Sequence, residues 1–333
     1  MTQVDSVLAA VKTEAAKVDE YMRADLAHLE PAIDDLLREV LEYGLFTGGK
    51  RIRPLLAVFA ARLCGNFDPG VYRLGCAFEY LHAATLFHDD IIDNSAMRRG
   101  KKSVYKKFGS IAAILAGDFL HALAMSTVGR LAGTKGLEIF CNATTGMVDG
   151  EFMQLRNATK HNLSELEYYD AIMMKTGLLI AAACEVGAIY GGGNSEQVKA
   201  LRDYGVNLGC AFQIIDDLLD YLGDPGITGK AVGNDLIEGK VTLPLILTLN
   251  CAERKAKERL EFILASKDGR SSHIQEVAAI IESAGGFAAA REKAVAAVQH
   301  AITALKVFPA TESCLYERQV LEGLARYILA RNN

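Results

Sequence analysis

Apolar residues along this chain recur at helical spacing. Leu74, Ala77, Phe78, Leu81, Ala84 and Thr85 follow an i, i+3, i+4, i+7 pattern that lines one face of a helix. From Ile111 to Met125 the sequence is apolar nearly all round, broken by Asp118 and His121. Ala171 to Tyr190 is similar, broken by Lys175 and Glu185. Helices apolar on every side are expected at the centre of a bundle. The runs Arg254–Ala265 and Phe287–Val307 carry charge along one face, so they are expected on the outside. The alternation that marks strands is absent. There are only six prolines, and none lies between Gly70 and Asp224, where strong helix formers dominate. The pattern predicts an all-α, single-domain bundle of about ten or more helices. Breaks are expected near 47–49, 66–70, 94–102, 157–162, 191–193 and 223–239.

Composition narrows the possibilities. The chain has 333 residues, half of them hydrophobic, which is enough for a large core. Its net charge of −5 argues against a nucleic-acid partner, which would call for a basic stripe. Local basic clusters can still serve a small anionic substrate. The seven cysteines include no C-x-x-C pair, and most stand among apolar residues. They read as buried reduced thiols, as in a cytoplasmic protein. Residues 1–26 hold no continuous apolar core of the signal-peptide kind. The most apolar window, Leu178–Tyr190, is short for a bilayer span and contains Glu185, so no transmembrane segment is expected.

Two segments spell the same motif, D-D-φ-φ-D with φ apolar: Asp89-Asp90-Ile91-Ile92-Asp93 and Asp216-Asp217-Leu218-Leu219-Asp220. Residues four apart share a helix face, so Asp89 pairs with Asp93 and Asp216 with Asp220. Two carboxylates side by side repel unless a cation joins them, and hard oxygen ligands suit Mg²⁺. The plainer reading is a solvated acidic face. Three basic groups argue for the metal: Lys50, Arg51 and Arg53 in a glycine-led segment, Arg98 and Arg99 after the first motif, and Lys230 and Lys240 after the second. Such cations beside flexible glycines commonly hold phosphate, although each group alone could be surface charge. Lys175 interrupts an apolar helix, so it either snorkels outward or meets an anion. Thr176 and Gln213 are neutral donors that could assist. His82 lies about two turns before Asp89, on roughly the same side, and could equally be a core histidine. His88 is ambiguous.

Together these residues resemble the trans-isoprenyl (polyprenyl) diphosphate synthase family. The matching stretches are GGKRIRP (48–54), EYLHAATLFHDDIID (79–93), MRRGK (97–101), GDFL (117–120), GEFMQL (150–155), KTG (175–177), FQIIDDLLDY (212–221) and GKAVGNDLIEGKVTLPLI (229–246). The resemblance implies an all-α domain spanning 1–333 around a central cavity, with the motifs in 48–246 and peripheral helices in 252–333. It implies a homodimer and head-to-tail condensation of isopentenyl diphosphate onto an allylic diphosphate, with farnesyl diphosphate as primer. It assigns metal binding to Asp89, Asp93, Asp216 and Asp220, with three Mg²⁺ ions once diphosphate is bound. Lys50, Arg53, His82 and Arg99 match positions that hold isopentenyl diphosphate. Arg98, Lys175, Thr176, Gln213, Lys230 and Lys240 match positions around the allylic diphosphate. Asn94 and Ala96 depart from the family, which often has acidic residues there. Altered metal affinity at most is expected from Asn94.

Ala84 and Thr85, one turn below Asp89, are small. A growing tail is expected to slide past them to a floor at Phe140 or a neighbour such as Met125. This predicts a long product of about C30 to C50, octaprenyl at the centre, with a short-chain synthase (farnesyl or geranylgeranyl) as the alternative. A class I terpene cyclase would not need the second anion site. A catalytically silent partner subunit would tend to lose metal ligands, and both motifs are intact.

Overall fold

The computed structural model describes residues 3–29, 32–157, 164–223, 232–266 and 269–331, so Lys230 lies outside the described residues. Helices follow one another: α1 (Gln3–Leu29), α2 (Asp35–Leu45), α3 (Ile52–Leu63), α4 (Gly70–Ile92), α5 (Val104–Phe108), α6 (Ser110–Asn157), α7 (Glu165–Ile172), α8 (Leu178–Tyr190) and α9 (Ser195–Leu222). Then come α10 (Asn234–Glu238), α11 (Leu243–Cys251), α12 (Arg254–Ala265), α13 (Ile274–Ser283), α14 (Gly286–Ala304) and α15 (Glu312–Ala330). Local chemistry sets several of the boundaries. Asp34 caps α2, accepting from the Leu36 N–H at 2.8 Å, and Ser164 caps α7, accepting from Glu167 at 3.2 Å. Pro244 opens α11 within its first turn, where a missing N–H costs nothing. Gly133, at φ 66°, kinks the long α6.

Contacts group the chain into two compact units. The first comprises residues 1–142, 182–202 and 307–323; the second comprises 143–181, 203–306 and 324–333. Leu41, Leu55, Leu56, Phe59, Phe78 and Tyr80 form part of the core of the first. In the second, Tyr204, Ile214, Leu243, Leu260, Ile281 and Ala290 are buried. As expected, α12 and α14 bury one face, through Leu260, Ile263 and Leu264 and through Ala290, Ala294, Val298 and Ala301.

The structure corrects two expectations and refines a third. Residues 111–125 are not buried all round. Ala113, Ala116, Leu120 and Ala124 are covered, but Ile111 is 76% and Leu115 61% exposed. Apolar composition marks a surface that gains from being covered, and says nothing about whether the cover comes from the same chain. The segment 94–102 breaks the helices as expected, and the break is more regular than a bare loop. Met97–Arg98 and Lys101–Lys102 form strands β1 and β2, paired antiparallel with Met97 opposite Lys102. Arg99 and Gly100 make the turn at φ 50° and 76°, the positive values that suit a two-residue hairpin. The cysteines are all free, but only Cys76 and Cys184 are buried, and Cys251 is exposed.

Two helical runs, 110–156 and 165–190, are long and apolar enough to cross a membrane. The second is longer than the sequence window suggested, because α7 and α8 join through a π-helical turn, Met173–Gly177.

Candidate active site

The first motif ends α4. Asp93 is its C-cap, with its N–H bonded to the Asp89 carbonyl at 2.8 Å, so the turn stays helical through both residues. The Asp89 and Asp93 side chains therefore share a face; Asp89 is half-buried and Asp93 exposed. Asp90 points the other way and is 1% exposed. Arg98, on β1, clamps it: Nε lies 2.9 Å from both carboxylate oxygens and Nη2 2.7 Å from Oδ1. Such a fork fixes direction as well as charge. Asn94 adopts the left-handed conformation (φ 50°), which asparagine tolerates better than most side chains, and its Oδ1 accepts from the Tyr105 hydroxyl at 2.7 Å. The position where the family often has an acid is thus used here to turn the chain.

Of the cations in 48–54, Arg51 serves the fold. It is buried and donates to Glu79 at 2.5 Å, to Asp19 at 2.8 Å and to the Leu45 carbonyl at 2.7 Å. Lys50 is exposed and Arg53 half-buried. The His82 pKa is pushed well below the usual imidazole value, first by burial and then by the charges of Arg53, Arg99, Arg98 and Arg51. A neutral ring among guanidinium groups marks a place where an anion would relieve repulsion. Arg99 reaches into the same neighbourhood over Gly49: a Cβ on Gly49 would come within 2.8 Å of Arg99 Nη1. The matched isopentenyl-diphosphate residues His82, Arg53 and Arg99 are thus brought together. A cleft beside them is lined by Tyr43, Thr47, Arg51, Arg98, Arg99 and Lys102. His88 turns to α6, with Nε2 3.2 Å from the Ile114 carbonyl and 3.6 Å from Asp118.

Lower on α4, Ala84 is 3% exposed, and the Thr85 hydroxyl donates to the His82 carbonyl at 2.9 Å. Phe140, fully buried, meets Phe78 edge-on with centroids 5.4 Å apart. Phe78 lies about 16 Å along the helix from Asp89, so Phe140 sits well below the motif. Met125 is half-buried.

The second motif lies near the end of α9. The π-helical turn and α8 approach α9 closely: a Cβ on Gly209 would meet Gly177 Cα at 2.7 Å. That approach lets the Thr176 hydroxyl reach Gln213 Oε1 at 3.2 Å. The Gln213 amide donates to Asp217 Oδ1 at 2.9 Å, and the Tyr168 hydroxyl donates to Oδ2 at 2.7 Å. Asp217 is 3% exposed. Burial first, and then the Asp235 charge, lift its pKa to about 8. Asp220 accepts from the N–H groups of Asn234 and Asp235 at 3.2 and 3.1 Å, tying the start of α10 to α9. Burial and Asp235 raise its pKa to about 6. Asp216 is more open, and Arg331 Nη2 donates to its Oδ1 at 3.0 Å.

Lys175 meets an anion of this chain, the Glu151 carboxylate, at a half-exposed place. It pairs with Glu151 at 2.8 Å and Gln154 at 3.2 Å. Lys240 pairs with Glu238 at 2.6 Å and Asp235 at 3.3 Å, and these acids lift its pKa despite burial. Both lysines, with Gln213 and Asp217, line a cavity of about 160 Å³. Tyr168 and Arg331 lie in none of the matching stretches and were not legible; Glu151 and Asp235 lie within GEFMQL and GKAVGNDLIEGKVTLPLI but were given no role there. Asp90 and Asp217 were legible as motif members but not as the buried ones.

Each motif offers two helix-borne carboxylates one turn apart. Among the described residues, no group of three His, Cys, Asp or Glu gathers to hold a metal alone. A cation there would need oxygens from a bound molecule and water as well, which fits a hard divalent ion shared with a diphosphate.

A family model for polyprenyl synthetase matches residues 34–281. The chain is 36% identical over 324 residues to octaprenyl diphosphate synthase of Escherichia coli (strain K12), covering 95% of this chain and 98% of that protein. It is 34% identical over 332 residues to a short chain isoprenyl diphosphate synthase of Methanothermobacter thermautotrophicus, covering 98% and 99%. Among solved structures, the polyprenyl synthase of Caulobacter crescentus CB15, complexed with calcium and isoprenyl diphosphate, superposes with a TM-score of 0.86. It is 35% identical and covers 99% of this chain and 98% of that one.

Proposed function

This chain belongs to the polyprenyl synthetase family, and is thereby a prenyltransferase, and from that premise we propose that it is a Mg²⁺-dependent trans-polyprenyl diphosphate synthase making a long product, octaprenyl diphosphate. The observation that carries the reading is the grouping of His82 with Arg53, Arg99 and Arg98 on the elements that carry and follow the Asp89–Asp93 pair. An anion seat next to a carboxylate pair suits a diphosphate substrate.

In this reading Asp89, Asp93, Asp216 and Asp220 hold divalent cations, three when diphosphate is bound. When bound, those ions supply positive charge to the departing diphosphate. Lys50, Arg53, His82 and Arg99 hold isopentenyl diphosphate. Lys175, Lys230 and Lys240 stabilise negative charge as the allylic C–O bond breaks, with Thr176 and Gln213 as neutral donors. Arg98, matched to the same diphosphate, acts at least in part by fixing Asp90 and the hairpin. The isopentenyl double bond then attacks the allylic carbon to form the new C–C bond, and the departed diphosphate takes the proton whose loss restores a double bond. Apolar walls keep water from the cation. The small Ala84 and Thr85 pass the tail towards Phe140. We take the whole chain as one catalytic domain in the cytoplasm, with farnesyl diphosphate as primer. The exposed apolar strip Ile111, Ile114 and Leu115 supports a homodimer, since burying it would recover apolar area.

The test is incubation of the full chain with Mg²⁺, farnesyl diphosphate and labelled isopentenyl diphosphate, followed by chromatography of the products. A ladder ending at octaprenyl is expected. No incorporation overturns the activity, and a ladder ending at geranylgeranyl favours the short-chain alternative. Ala84→Tyr should shorten the product to about C15–C20, because the ring would fill the path one turn below Asp89.

A further inference from the structure

Arg331 follows the last residue of α15 and reaches the second motif. Its Nη2 donates to Asp216 Oδ1 at 3.0 Å, and its guanidinium carbon lies 4.7 Å from the centroid of Phe212, one turn before Asp216. The Arg331 side chain is 16% exposed and that of Asp216 43%. Yet Arg331 Nε and Nη1 are buried with no hydrogen-bond partner among the described residues. Arg51 offers a contrast: its Nε, Nη1 and Nη2 each have an acceptor, so it is a bolt. Arg331 is held by one carboxylate oxygen and the face of a ring, and burying its other donors works against the seat. A contact of that kind is readily given up when a stronger ligand takes the oxygen.

We propose that Arg331 is a positioning residue for Asp216: it holds and neutralises this carboxylate in the metal-free protein, and must yield Oδ1 when a divalent cation binds. The proposal rests on the reading of Asp216 as a metal ligand. Guanidinium and metal compete for the same oxygen, so the measured metal affinity includes the cost of displacing Arg331. By linkage, filling the second motif frees the end of α15, and fixing that end weakens the metal.

Isothermal titration of Mg²⁺ into the full chain with inorganic pyrophosphate tests this without turnover. Arg331→Gln removes the charge while keeping bulk over Phe212, and should bind Mg²⁺ about three- to tenfold tighter. In the Asp216→Asn background the same change should have no effect. In EDTA, Arg331→Gln should unfold at a lower temperature than wild type, and saturating Mg²⁺ with pyrophosphate should close the gap. A structural role alone would leave the gap open. Unchanged affinity in Arg331→Gln overturns the proposal, and weaker affinity overturns it in favour of Arg331 as an anion contact. If wild type binds pyrophosphate with no dependence on Mg²⁺, the metal-site reading falls as well.

Discussion

Asp90 and Asp217 hold the same place in the two motifs, and both are nearly inaccessible, at 1% and 3% exposed. Asp90 faces the forked guanidinium of Arg98, which stands on a hairpin and so pins that hairpin to α4. Asp217 faces a phenol and an amide, neutral donors that do not offset the cost of burying a charge, and its pKa climbs to about 8. One spelling therefore folds into an ion pair in one place and, in the other, into a buried carboxyl whose pKa is raised. Helix periodicity decides which carboxylates face outward. What surrounds the inward one decides its charge.

The largest effect should come where the motifs agree. Asp89→Ala and Asp216→Ala each remove an outward carboxylate, and each should lower kcat on the order of 10²–10³-fold in the isopentenyl incorporation assay. A loss confined to one motif would mean that only one serves the metal. The next effect separates them. Asp90→Asn leaves Arg98 without its counter-charge and should cost about 2–4 kcal/mol in urea unfolding, less than a fully buried pair because Arg98 keeps a third of its side-chain surface. Asp217→Asn keeps an acceptor for Tyr168 and should cost about 1 kcal/mol or less. Equal costs would erase the contrast.

The subtlest test is pH. The Asp217 pKa is raised from 3.8 to about 8, so between these values the folded chain binds the extra proton. Its contribution to stability is fully present below 3.8 and is lost as pH rises through about 8. In EDTA, the melting temperature of wild type should fall from pH 5 to 8 more steeply than that of Asp217→Asn. Parallel slopes would mean that Asp217 is ionised throughout.

Much of this was visible in the letters. The proline-free stretch and the spacing at 74–85 announced helices, and four-residue periodicity put Asp89 with Asp93 and Asp216 with Asp220. The hairpin at 97–102 was not visible, because two-residue strands are too short to alternate. Nor was the open face of α6, since Ile111 and Leu115 read the same whichever chain covers them. Arg331 and Tyr168 reach their aspartates across 115 and 49 residues, and nothing local announces a partner that far away. Arg51 and Arg53 look alike on paper. Only the acceptors Asp19, Glu79 and the Leu45 carbonyl reveal that the first is spent on the fold.

The meeting of Gly177 with Gly209 bears on how such a protein can be altered. Even an alanine at Gly209 would push α9 away from the π-helical turn and stretch the reach between Thr176 and Gln213, whereas at Gly177 the added methyl would meet the Met173 side chain. A library that varies only polar side chains would pass over both positions. The contact between Thr176 and Gln213 thus depends on a hydrogen atom standing where a methyl group could be.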